Sequence, residues 1–288
     1  MADSRHTVVG LRDVPLVGAK RLRVESPSGV AVDPARGTVI AFSAFSRKVT
    51  LLHLDEQPST EVTLPALAPA TAPSEQVAEG RTLFHRSGDL AIARNGRACA
   101  SCHVDGRDDG LVWTTPLGQR QTPMLAGRID GTAPYDWSGE HATLVEHITI
   151  TVRNLEGRGL QPRQLDALAA YVATMSAPPK RAHASATVAR GQAIFRSAET
   201  GCASCHVEGT RFADHETHTL PETRGKAPHF DTPSHAFVGQ TAPYFHDGRY
   251  TSLGQLVDGC EDPATHMGHT KHLAAEDRRA LVAYLRTL

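Results

Sequence analysis

The sequence has no apolar run of the length a membrane-spanning helix needs, and it has no excess of either charge. Thirty Lys and Arg against 31 Asp and Glu leave a formal net charge of -1, which gives no electrostatic basis for holding nucleic acid or an anionic membrane surface. The opening stretch MADSRHTVVGLRDVPLV lacks the apolar core and the small-residue cleavage site of a secretory signal. Methionine is rare, with four in the chain, and cysteine nearly so, with five. What remains is ordinary for a soluble globular protein: 40% hydrophobic and 21% charged over 288 residues, a length that suits two or three small domains. Histidine, at 16, is generous, so any single His is a weak ligand candidate.

Four of the five cysteines fall in one repeated pentapeptide, Cys99-Ala100-Ser101-Cys102-His103 and Cys202-Ala203-Ser204-Cys205-His206. C-x-x-C-H is the attachment signature of c-type haem. Two thiols one helical turn apart each bond one vinyl group of the porphyrin, and the next residue lies under the iron. A neutral imidazole there is a good axial ligand. A four-cysteine zinc site has no need of the two following histidines. A thioredoxin-like dithiol does not account for two copies, and a bridge inside C-x-x-C closes almost no loop. The expectation is two covalently bound haem c groups, with iron ligated by His103 and His206. Because c-type haem is installed on exported chains, a periplasmic or otherwise exported protein is expected, the sequence being a mature form or part of a longer one. Cys260 is left over.

Residues 1–60 read as β, with the short Val-rich segments TVVGL, RLRVE, GVAVD, TVIAFS and KVTLLHLD between turn signals. Residues 61–75 are Pro- and Ala-rich and read as a linker. A first helical haem domain is expected over 76–178, a second linker over 179–186 and a second haem domain over 187–288. The internal repeat is direct: Gly80-Arg81-Thr82-Leu83-Phe84 matches Gly191-Gln192-Ala193-Ile194-Phe195, Thr132-Ala133-Pro134-Tyr135 matches Thr241-Ala242-Pro243-Tyr244, and Leu168-Ala169-Ala170-Tyr171-Val172 matches Leu281-Val282-Ala283-Tyr284-Leu285. The expected fold class is mainly α: two tandem cytochrome c-like helical haem domains, preceded by a short all-β segment.

Two resemblances add to this. SPSGVAVDPARGTVIAFSAFSRKVTLLHLD is similar to a β-propeller blade, which implies partner blades upstream in a longer parent or packing on the haem domains. Residues 75–288 resemble the bacterial dihaem cytochrome c peroxidase superfamily, which also includes the dihaem enzyme that matures tryptophan tryptophylquinone. The residues that carry the likeness are FDTPSHAFVGQTAPYFHDGRYTSLGQLV (230–257) and the weaker counterpart RQTPMLAGRIDGTAPYDWSGEHATLVEHI (120–148). The resemblance implies one haem that relays electrons and one that reacts with hydrogen peroxide, with a small redox protein or another electron donor as partner.

The sixth ligands decide between functions, because a Met thioether raises the potential while an open position admits peroxide. For the second haem the residues suggest Met267, in the polar turn HMGHTKHL, while the family's Met ligand, counted from Leu253, falls on Cys260. His246 matches a family residue near this haem. For the first haem, His147 aligns with the family's catalytic Gln and stands open as distal base, sixth ligand or plain helix histidine, with His141 a further candidate. The family's catalytic Glu has no match. Trp137 falls where the peroxidases place an inter-haem Trp, and Arg249 and Arg120 are candidates for haem propionates. The carboxylates of HVDGRDDG (103–110) suggest calcium but lack EF-hand spacing. Three functions follow as expectations: a peroxidase-type enzyme, an electron-transfer protein with both irons six-coordinate, and electron-collecting domains of a propeller-fused binding protein.

Overall fold

The computed structural model describes residues 6–7, 22–23, 28–45, 47–54, 58–65, 72–116, 118–179, 185–220, 229–262, 265 and 267–288. Most of the expected strands TVVGL and RLRVE, the middle of both expected linkers and His266 lie outside these. The chain divides into two compact units, one formed by residues 1–74 with 86–89, the other by 75–85 and 90–288.

In the first unit, β1 (His6–Thr7) pairs with β2 (Leu22–Arg23), and β3 (Gly29–Asp33), β4 (Thr38–Ser43), β5 (Lys48–His53) and β6 (Thr60–Thr63) form one antiparallel meander in sequence order. Val39 pairs with Leu52 and Ala41 with Thr50, so alternate side chains share a face. Those four are buried.

The second unit runs α1 (Glu75–His85), β7 (Val112–Thr115), β8 (Gly118–Gln121), α2 (Leu144–Asn154), α3 (Pro162–Ala173), α4 (Ala186–Arg196), α5 (Cys202–Cys205), β9 (Thr217–Thr219), β10 (His229–Asp231), α6 (Leu253–Gly259) and α7 (Ala275–Leu285). The helix starts are written locally. Thr143 caps α2 by accepting from Glu146 N, while Glu146 reaches back to Thr143 N. Ser185 and Ser252 cap α4 and α6, and Pro162 opens α3.

The expectation of a mainly α fold with a propeller-like segment is corrected here. Among the described residues the structure is 32% helical and 18% strand, the sheets are antiparallel, and there is no propeller. Part of the additional strand lies among the haem motifs. The hairpins β7–β8 and β9–β10 are built from VWTT with GQRQ and THT with HFD. They are too short and too polar to show an alternating apolar pattern.

Each half of the second unit closes on a helix pair, α1 with α3 and α4 with α7. Their cores are Leu83, Phe84, Leu168 and Val172 in one half, and Phe195, Leu281, Tyr284 and Leu285 in the other. The pairs cross at glycine. A Cβ on Gly80 would overlap the Ala167 carbonyl, and one on Gly191 would overlap that of Ala280. Gly80→Ala and Gly191→Ala are each expected to cost about 2–4 kcal/mol, because neither backbone can withdraw without unpacking its core. Denaturant midpoints at unchanged slope check this.

The two halves form one compact unit and are joined reciprocally. Gln121 N donates to His246 O at 2.8 Å, and Asp231 N donates to Trp137 O at 3.0 Å. By the internal repeat Gln121 corresponds to Asp231 and Trp137 to His246, so each half holds the other by the same bond. Gly139 packs on Thr217 of the second half and Gly248 on Val112 of the first.

Candidate functional site

Both C-x-x-C-H segments are wound into single turns. Cys99–Ser101 forms a 3-10 turn in which His103 N donates to Cys99 O at 2.9 Å. In α5, His206 N donates to Cys202 O at 3.0 Å. Each histidine thus lies one turn beyond the first cysteine of its motif. All four thiols are free of disulfides and half-buried. Burial raises their pKa values, that of Cys99 to about 11, so the groups are neutral thiols.

The histidines are neutral as well. Burial lowers His103 and brings His206 down to about 4. His206 Nδ1 donates to Phe212 O at 3.0 Å, which fixes the tautomer and leaves Nε2 as the ligating nitrogen. Unpaired thiols one turn apart, followed by a half-buried neutral imidazole, fit the covalent attachment of haem c.

On the first motif's side the structure brings together His141 and His147, and adds Asp136. One ligand atom of each lies within 4.8 Å of the others. The two rings are 5.8 Å apart, and Asp136 Oδ2 is 3.9 Å from His141 Nε2. His147 Nδ1 is buried with no hydrogen-bond partner. Burial holds this histidine below the ordinary imidazole value, Asp136 opposing and His141 reinforcing the effect. His147 is also close enough to His103 to disfavour its protonation.

Asp136 was not foreseen. The signal for it lies in the repeat, where TAPYD of the first half stands against TAPYF of the second. Its backbone is left-handed at φ 82, like that of Phe245 at 73, and the bridge Tyr135–His141 recurs as Tyr244–Tyr250. His147 and Leu256 both stand four residues after their helix caps. On one backbone, Asp136, His141 and His147 therefore replace Phe245, Tyr250 and Leu256.

At the second motif, Met267 and Cys260 are neighbours rather than alternatives in space. Met267 N donates to Cys260 O at 2.7 Å, and His269 N donates to Thr200 O at 2.9 Å. A Cβ on the intervening Gly268 would lie 3.9 Å from Cys202 Sγ and 4.0 Å from Cys260 Sγ, so this loop rests on the motif itself. Cys260 is buried and its thiol bonds Thr270 Oγ1 at 3.0 Å. A second unforeseen residue is His235, half-buried and stacked on His206 with ring centroids 3.4 Å apart; its counterpart in the first half is Leu125.

Trp137 and His246 meet at the join between the halves, edge to face at 6.5 Å. Trp137 Nε1 donates to Gln121 O at 3.1 Å, while His246 stacks on Phe230 at 4.1 Å and is lowered to about 4 by burial. Arg120 is buried over the Phe230 ring with Nη1 on Gln119 O. Arg249 is engaged by Asp247 through Nε and Nη2 and lies over Phe245. In the segment 103–110, Asp108 and Asp109 accept from the backbone of Gly110 and Leu111, and Asp109 also takes Trp113 Nε1. Among the described residues the clusters able to share an ion are Asp136–His141–His147 and Cys205–Asp214–His218, and neither includes Asp105, Asp108 or Asp109.

Asp231, at the same join, carries a testable charge. Burial, reinforced by Asp214, raises it to about 7. Between the unfolded value near 4 and pH 7 the native state holds a proton that the unfolded chain has released, so stability falls as pH rises through that window. Asp231→Asn is expected to exceed the parent protein by about 1–2 kcal/mol near pH 8, after discounting for its partly exposed edge, and to match it below about pH 4. Urea midpoints at the two pH values test the sign.

Comparison with known proteins agrees with this geometry. Residues 188–288 match the family described as Cytochrome c. The chain is 25% identical over 280 residues to hydrazine synthase subunit gamma of Kuenenia stuttgartiensis, covering 75% of this chain and 78% of that protein. It is 26% identical over 281 residues to the methylamine utilization protein MauG of Methylorubrum extorquens, covering 74% and 78%. Among solved structures, Kuenenia stuttgartiensis hydrazine synthase aligns at TM-score 0.65 and 21% identity, over 81% of this chain and 98% of that one. A MauG-like protein associated with microbial copper homeostasis aligns at 0.60 and 19%, over 78% and 92%. The chain contains a cytochrome c domain, and such a domain carries covalently bound haem c with its iron. Among the described residues no helix is long and apolar enough to cross a membrane.

Proposed function

We propose that the protein is an exported, periplasmic dihaem c-type cytochrome, an oxidoreductase that passes electrons from a small redox protein through its second haem to its first, where hydrogen peroxide is reduced. The cytochrome c domain at 188–288 and the repetition of its motif, helix pair and glycine crossing over the first half support two haems. The observation that carries the reaction is the asymmetry between halves: Asp136, His141 and His147 cluster together with His147 near His103, where the second half has Phe245, Tyr250 and Leu256.

Haem iron supplies the one-electron chemistry, and the chain supplies the protons and the path. Cleaving peroxide to two waters takes two protons and two electrons, and one oxygen must lose a proton that the other gains. His147, held below the ordinary imidazole value and therefore neutral, has a buried, unpartnered Nδ1 to take that proton. His141 beside it passes charge toward Asp136, whose carboxylate stabilises an imidazolium that would otherwise be costly in a buried place. The Trp137 indole, edge-on to His246 at the join, gives electrons a polarisable route between the halves. At the second motif the loop whose Gly268 lies against Cys202 carries Met267, which would be the residue to hold the iron of a bound haem, with Cys260 its neighbour.

Intact mass of the denatured protein tests the premise: the chain plus two haems is expected, and a mass equal to the bare chain contradicts it. Peroxide consumption by the reduced holoprotein, driven by a small electron-donor protein, tests the reaction.

A further inference from the structure

The halves repeat one more arrangement, with a telling difference. In the second half the Glu208 carboxylate is held from three sides: Arg196 Nε donates to it at 2.9 Å, Tyr284 OH at 2.7 Å and Gln192 Nε2 at 3.5 Å. The corresponding residues of the first half are Asp105, His85, Tyr171 and Arg81. Asp105 follows His103 by two positions as Glu208 follows His206, and the Phe–Tyr ring pair that backs the site is spaced 5.4 Å in both halves. The scaffold is therefore the same.

Asp105 does not do what Glu208 does. It is one methylene shorter, its backbone is left-handed at φ 52, and its side chain is exposed. Where the Glu208 carboxylate would lie there is instead a cleft of about 330 Å³, bounded by Arg81, His85, Asp105, Tyr171, Thr174 and Ser176. Arg81 donates a hydrogen bond to the Tyr171 hydroxyl. His85 Nδ1 donates back to Arg81 O at 2.9 Å.

We propose that this cleft binds a small carboxylic acid, whose carboxylate takes the place that Glu208 fills in the second half. Arg81 supplies a charged donor, the Tyr171 hydroxyl a second donor, and the hydroxyls of Thr174 and Ser176 line the mouth. The volume is at the lower end of small-molecule pockets, about 300–1,000 Å³, and suits a short mono- or dicarboxylic acid rather than a nucleotide. The solvated Asp105 carboxylate at the rim opposes an anion, so an affinity of about millimolar is expected. The proposal is independent of the peroxide reaction, because none of these residues belongs to the Asp136–His141–His147 face.

The test is binding of succinate to the holoprotein by saturation-transfer NMR and calorimetry, with inorganic phosphate as a control anion. Arg81→Gln, which installs the second half's residue, is expected to weaken succinate at least about tenfold, the loss of one charge-assisted hydrogen bond. Asp105→Glu provides the chain's own carboxylate and is expected to abolish binding with haem content unchanged. Since Asp105 is exposed, this variant keeps the test decisive should Arg81→Gln fail to fold. Absence of succinate binding by the parent protein, binding unchanged in Asp105→Glu, or phosphate bound as tightly as succinate would each overturn the proposal.

Discussion

Replacing Cys202 and Cys205 together with serine is expected to lower the intact mass by one haem, and replacing all four motif cysteines to lower it by two. The two pairs are independent attachment points, each wound into its own turn with its own half-buried histidine. Losing one pair leaves the other intact. Single replacements are expected to keep the haem through the remaining thioether. The double replacement in the second half should also be the more damaging to stability. Both motifs pack on their cores, Cys99 and Ala100 on the first and Cys202 and Ala203 on the second, but only in the second does the loop at Gly268 also rest on the motif, at Cys202. Mass spectrometry of the denatured variants reads the first effect, and thermal unfolding the second. Retention of both haems after loss of Cys202 and Cys205 would remove the second motif from the account.

The second large effect is expected at His147. His147→Leu gives the first half the residue that the second half carries at Leu256, and peroxide turnover should fall about 10²–10⁴-fold, the usual contribution of a positioned acid–base group. Haem content should be unchanged, since His147 is on the opposite duty from the motif cysteines. Asp136→Phe and His141→Tyr complete the conversion. If the three residues act as one unit, the triple variant should lose little more than His147→Leu alone. The pH profile gives an independent readout. Burial holds His147 below the ordinary imidazole value, so it remains an unprotonated base at neutral pH. Activity should be flat from neutral pH upward and decline only on the acid side of the ordinary histidine range. A decline already beginning near neutrality would assign the base to another group.

Much of this was legible in the sequence because it is local. Five consecutive letters specify each attachment turn, Thr143 and Ser252 announce their helices, and the repeat of Gly80 and Phe84 as Gly191 and Phe195 predicts the same helix crossing twice. His141 and His147 were visible as candidates through resemblance. Asp136 was not, since an aspartate after Tyr135 is unremarkable until the backbone of Phe245 is seen beneath it. The rest was hidden for physical reasons. The join between the halves uses backbone bonds, Gln121 to His246 and Asp231 to Trp137, which any side chain permits and no pattern records. The hairpins β7–β8 and β9–β10 are short and polar, so the expected mainly α fold missed them. Met267 and Cys260, rivals in the sequence, are neighbours in space through the bond from Met267 N to Cys260 O, a proximity that their separation along the chain does not record.

The measurement that bears most directly on the central claim is the low-temperature EPR spectrum of the holoprotein, fully oxidised and half-reduced. An accessible first iron with the Asp136–His141–His147 face beside it predicts a high-spin ferric signal, present at the start or appearing once the second haem is reduced, and altered in His147→Leu. Two low-spin ferric haems in every state would contradict it: both sixth positions would be filled, and the protein would carry electrons without reducing peroxide.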